Sequence, residues 1–201
     1  MKKSDMKKSN TVKYFTQKNW GAAEIACVII AVISFIVATF VWGGGPIGMP
    51  LLGIAVLVLI ILKSSKVKAA EIDRELEKLI KEASIDSKSK NLIKTFDFKS
   101  EYLVKDKGEW RSSVYVISEI EFLEENALVT VHRIDLLAKR ILKESYTLRS
   151  DDKISLVEEK LETKFGNKTI YYLASDFFSS NIPVCVNDSR AHEIVNKLCQ
   201  N

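Results

Sequence analysis

The chain has 201 residues with 30 Lys and Arg against 26 Asp and Glu, a net charge of +4 that is not spread evenly. Residues 1–63 hold seven Lys against Asp5 and Glu24, so from residue 64 onward the two signs nearly cancel. That later part lacks the dense positive stripe that neutralising phosphates demands, which argues against nucleic acid as a partner.

Residues 1–20 form a basic N-terminal segment with Lys2, Lys3, Lys7, Lys8, Lys13 and Lys18. From Ile25 to Leu62 no side chain is charged, and the middle of this run reads Trp42-Gly43-Gly44-Gly45-Pro46-Ile47-Gly48-Met49-Pro50. A glycine and proline cluster inside so long an apolar run predicts two membrane-spanning helices joined by a tight turn over residues 21–63. The first arm covers Gly21–Trp42 and the second Pro46–Leu62, each near the roughly 20 residues that a bilayer core of about 30 Å requires. Trp20 and Trp42 would then lie about 33 Å apart along the helix, one in each headgroup layer. Lys63, Lys66 and Lys68 follow the second arm and the turn carries no charge, so both termini are expected in the cytoplasm of a cell with this chain in its inner membrane. The hydrophobic stretch is too long for a cleaved signal peptide, and a second arm comes at once. Ion and proton pathways place ionisable groups at membrane depth, and this segment offers only Ser34, Thr39, Cys27 and the interfacial Glu24, so it reads as an anchor.

Residues 64–84 continue as an amphipathic helix, expected to be continuous with the second arm. Ile72, Leu76, Leu79, Ile80 and Ala83 recur on one face. That face either packs on the domain C-terminal to it, lies on the bilayer, or forms an oligomeric stalk through Ile72, Leu76 and Leu79.

After a Ser and Lys linker at 85–90, residues 91–201 change to period two. Leu92, Phe96, Phe98 and Tyr102 share one parity before a turn at Lys105–Gly108. Val114, Val116, Ile120 and Phe122 alternate with Tyr115, Glu119 and Glu121 in a long second strand. A third strand is expected at Leu128–Ile134, a fourth at Lys139–Arg149, and a fifth at Ile154–Phe165, where Ile154, Val157 and Leu161 also fit a helical face. Gly166-Asn167 reads as a hairpin turn, with a sixth strand at Thr169–Ala174 and a seventh at Ile182–Val186. Asp188 or Ser189 is the candidate N-cap of a final helix whose stripe is Ala191, Ile194, Val195 and Leu198. This helix is suited to plugging the open end of a small antiparallel barrel.

The order of elements in Ile154–Leu198, with its strand, Gly166-Asn167 turn, Ile182-Pro183-Val184 strand and closing helix, resembles the pleckstrin-homology-like domains of bacterial membrane proteins. The likeness covers roughly residues 92–199 and implies four strands facing three with a capping helix. The fold class expected is thus a membrane helical hairpin plus a mainly β, α+β domain of about seven antiparallel strands, as a pleckstrin-homology-like barrel or split sheet. Phosphoinositide-binding members place a basic cluster in the first hairpin, where this chain has Lys105, Lys107 and Arg111, interrupted by Asp106 and Glu109. A second resemblance is to antiphage effectors in which two membrane helices carry a β-barrel that senses a cyclic nucleotide. A barrel of that kind would stack a base on aromatic rings and hold phosphates with Arg, which makes Tyr115, Tyr146, Tyr171, Tyr172, Arg111, Arg133 and Arg140 the candidates.

His132 and His192 are the only histidines, and no Ser, His, Asp or HExxH arrangement accompanies them, so no enzymatic role is expected. Cys27, Cys185 and Cys199 form no CxxC or metal-spaced set, and neither a disulfide framework nor a cofactor is implied. The expected function is recognition or scaffolding at the inner membrane surface, with a protein or lipid headgroup as ligand and the bilayer as partner. The competing class is a ligand-gated, membrane-disrupting effector that self-associates through stalk and hairpin.

Overall fold

The computed structural model describes residues 10–17, 21–40, 45–85, 91–106, 108–149, 151–163, 165–185 and 189–200, with the backbone alone at 45–47 and 200. Trp20, Trp42, Gly43, Gly44, Lys107 and Asp188 therefore lie outside the described residues. The chain divides into a helical unit, Thr16–Lys68, and a β-rich unit, Met1–Phe15 with Ala69–Asn201.

In the helical unit, α2 (Ala22–Phe40) and α3 (Gly45–Ser64) are both long and apolar enough to cross a membrane. Their large apolar side chains face outward, including Ile29, Ile33, Phe35, Ile54, Leu57 and Ile60, while the small or polar Ser34, Gly48 and Ala55 are buried. That is the reverse of a water-soluble protein, and it suits a solvent of lipid tails, where small residues let helices approach closely. A Cβ at Gly48 would lie 2.7 Å from the Ser34 carbonyl oxygen and 2.8 Å from the Ala38 Cβ, so only glycine permits this contact. At the other end of the pair Glu24 meets Lys66 in an ion pair. Beside it the Gln17 amide donates to the Val67 carbonyl at 2.8 Å and accepts from the Val67 N–H at 3.1 Å. α3 begins at Gly45, one residue before the expected start of the second arm, with Pro46 in its first turn, where proline costs a helix least, and Pro50 inside the helix.

The first described element of the β-rich unit is α1 (Asn10–Thr16), whose Tyr14 and Phe15 are buried, an element absent from the sequence expectation. The amphipathic helix is α4 (Ala69–Glu82), and it is not continuous with α3, since residues 65–68 leave the helical conformation. Among the described residues nine strands follow where seven were expected: β1 (Leu92–Phe96), β2 (Leu103–Asp106), β3 (Glu109–Ser112), β4 (Val114–Phe122), β5 (Asn126–Asp135), β6 (Arg140–Arg149), β7 (Ser155–Thr163), β8 (Gly166–Ala174) and β9 (Ile182–Val184). The Asp97 carboxylate accepts from the Lys99 N–H at 3.1 Å and bends the chain, so Phe98 and Tyr102 leave the first strand despite their parity. β2 and β3 form a separate hairpin, with Gly108 at φ +90° in its turn. The fifth expected strand is a strand, β7, rather than a helix. Thr163 pairs with Gly166, so Gly166-Asn167 opens β8 instead of forming the turn.

All pairings among the described residues are antiparallel. One sheet runs β1-β4-β5-β6 and another β7-β8-β9, beside the β2-β3 ribbon, so the fold is a split sheet and not a closed barrel. Val116, Ile120, Val129 and Val131 from the first sheet join Leu173, Ile182 and Val184 from the second and Ile194, Val195 and Leu198 of α5 (Ser189–Gln200) in one core. The apolar stripe of the final helix is thus buried as its period implies. β4 and β5 are covered on their other face too, where Ile117, His132 and Ile134 are buried. In the same unit α4 is tied to β3 by Asp73 with Arg111 and to the β5–β6 turn by Glu75 with Lys139. Ile72, Leu76 and Leu79 are 2%, 9% and 6% exposed within one chain, so the face considered for a stalk is already occupied.

Candidate functional site: the cleft between the sheets

β9 has only three residues and pairs with β8 across Tyr171–Leu173 alone. Among the described residues the first half of β8 therefore has a strand partner on one side only, β7. Along this gap lies a cavity of about 380 Å³, walled by residues 95–99, Arg133, residues 168–172 and the segment around β9.

Arg133 stands on β5 in register with Val116 of β4 and Leu142 of β6, which directs it into the space between the sheets. Its guanidinium is held from several sides. One Nη donates to Asp97 Oδ2 at 3.3 Å, and the other donates to Ser180 Oγ at 2.7 Å and to the Asn181 carbonyl at 2.8 Å. Nε lies 3.8 Å from Glu144 Oε2. Glu144 in turn accepts from Tyr146 and Ser179 at 3.0 and 3.1 Å, and Tyr146 packs edge-on against Phe178. The β8–β9 loop is thereby fastened across the cleft to β5 and β6.

The opposite wall has its own ion pair, Lys99 with Glu159 at 2.6 Å, and Tyr172 donates to the same carboxylate at 2.9 Å. The bond from Lys99, then that from Tyr172, holds the Glu159 carboxyl below the ordinary range, and the bond to Glu159 raises Lys99. Lys168 differs. Its Nζ lies 4.3 Å from the Phe98 ring centroid and 5.6 Å from that of Trp110, with no carboxylate partner among the described residues. Burial holds its ammonium below the ordinary lysine range.

The sequence candidates divide accordingly. Arg133, Tyr171 and Tyr172 line the cleft. Tyr146 buttresses it through Glu144 and Ser179. Tyr115 packs edge-on against Phe96, and burial raises its phenol above the ordinary range. Arg111 is spent on Asp73 and Glu109, with 15% of its side chain exposed. Lys105 sits over the Trp110 ring at 5.4 Å, and Lys107 lies outside the described residues. Arg140 is 64% exposed, 3.9 Å from Asp135.

Sequence reasoning missed Phe96, Asp97, Phe98, Lys99 and Lys168. One signal was present: Lys168 shares parity with Ile170 and Tyr172, a lone cation on an otherwise apolar strand face. His132 lies buried on the far face of β5 with Nε2 3.5 Å from Glu119, and His192 is on α5, so the two share no site with the cleft. Among the described residues no cluster of His, Cys, Asp or Glu is placed to hold a metal ion. No protein-family profile, curated protein or solved structure matches this chain.

Proposed function

We propose that this chain is a membrane-anchored recognition module that binds its ligand in the cleft between the two sheets. The observation that carries this reading is Arg133, a cation fixed by Asp97, Ser180 and Asn181 at the floor of a preformed cavity. A side chain fastened this way holds open a space that packing leaves unfilled, a cost that a binding site recovers when occupied. The outward apolar faces of α2 and α3 support anchoring, and the lysine flanks support cytoplasmic termini. The division into four and three strands with a buried terminal helix supports the likeness to pleckstrin-homology-like domains. Arg111, engaged with Asp73, argues against a headgroup site on the first hairpin and for the cleft.

Thr169→Trp, at an exposed position lining the cavity, fills the cleft and tests the reading. Full-length protein isolated from its own membranes in nanodiscs should carry a bound mass in native mass spectrometry that this variant lacks. Equal bound mass in both proteins defeats the proposal. The small-molecule size of the cavity also favours a second reading, a ligand-gated effector that disrupts the membrane. Overproduction should then admit a membrane-impermeant dye into cells, and intact membranes under saturating ligand eliminate it.

A further inference from the structure

Among the described residues, the pairing of charges inside the cleft leaves Lys168 without a carboxylate. Arg133 faces Asp97 and Glu144, and Lys99 faces Glu159, so these cations are matched within the fold. Lys168 is half-buried against Phe98 and Trp110, whose ring faces are a weaker counter-charge than a carboxylate. A desolvated ammonium without an anion is a cost that an anionic ligand removes. Elsewhere the wall presents the rings of Phe96, Phe98 and Tyr171 beside Ile170, Pro183 and Val184. At about 380 Å³ the cavity is near the small end of ligand pockets, which run to roughly 300–1,000 Å³.

We infer that the cleft takes an organic monoanion with a flat, ring-bearing body, its charged group seated on Lys168 and its rings against Phe96, Phe98 and Tyr171. This rests on the cleft being the binding site. Lys168 sets the charge of the ligand, whereas Arg133, already committed to the β8–β9 loop, holds the site open. Lipid headgroups and inorganic anions bring charge without a flat body, and each forgoes the aromatic wall.

Naphthalene-2-sulfonate and the isosteric, uncharged naphthalene-2-sulfonamide separate charge from shape, and inorganic sulfate supplies charge without rings. Each is titrated calorimetrically into full-length protein in phosphatidylcholine nanodiscs, with empty nanodiscs as blank. The sulfonate should bind saturably at one per chain, at least ten-fold tighter than the sulfonamide or sulfate, and the advantage over the sulfonamide should shrink with added salt. Lys168→Gln should abolish that advantage, while Lys168→Arg should keep it. Equal affinity for sulfonate and sulfonamide in the parent overturns the charge assignment and leaves the cleft standing, as does a preference that survives Lys168→Gln. The parent comparison decides even if a variant fails to fold. Sulfate binding as tightly as the sulfonate overturns the ring-bearing body. Absence of saturable binding by all three overturns both this inference and the reading it rests on.

Discussion

Tyr14 carries the clearest single-residue consequence of the fold. Its ring is 1% exposed and its hydroxyl lies 3.3 Å from Asp106 Oδ2. Burial, and then the negative charge of Asp106, push its phenol up to about 12. An unfolded tyrosine ionises near 10. Because the folded value is the higher one, the contribution of Tyr14 is fully present below pH 10 and is lost as pH rises from about 10 through 12. Chemical denaturation across that range should show stability falling by on the order of 2 kcal/mol more in the parent than in Tyr14→Phe. Parallel pH profiles for the two proteins would refute a buried, perturbed Tyr14.

Among the elements, α4 settles how its amphipathic face is used. Its apolar residues recur at a spacing that suits either a coiled-coil seam or a docked helix, and the period alone cannot choose between them. Asp73 with Arg111 and Glu75 with Lys139 choose, since both partners lie in the β-rich unit of the same chain. Leu76→Lys places an ammonium in that buried face and should cost about 3 kcal/mol or more, read from the melting of the full chain. The oligomeric state of the folded fraction should not change. A variant of parental stability that converts an oligomer to monomer would restore the stalk. In β4 and β5, too, packing decides what the period leaves open: buried on both faces, they show runs such as Val116-Ile117-Ser118 where a half-exposed strand would alternate.

For the whole molecule, the uncharged run and its lysine flanks predict one topology. In a background with Cys27 replaced, a cysteine in place of Gly44 should react with an impermeant maleimide from outside intact cells. Cys199, on the final helix of the β-rich unit, should react only after the membrane is opened, by the excess of lysine on inner segments. Labelling of Cys199 from outside would reverse the orientation and move the cleft to the other side of the membrane.

Properties written in neighbouring residues were legible without coordinates. The apolar length from Ile25 to Leu62, the one-sided stripe of α4 and α5 and the period-two strands from Val114 onward each come from side chains within a few positions of one another. Which surfaces meet is not written locally. Lys139 finds Glu75 across 64 positions, Arg133 finds the Asn181 carbonyl across 48, and Arg111 finds Asp73 across 38. A strand's alternation says that one face is buried but not by what, so the second cover on β4 and β5, the split between sheets and the seating of Lys168 on Phe98 and Trp110 emerged only in three dimensions. The cleft exists because β9 is too short to pair the whole of β8, and the charges beside it are matched or left over by packing rather than by order in the chain.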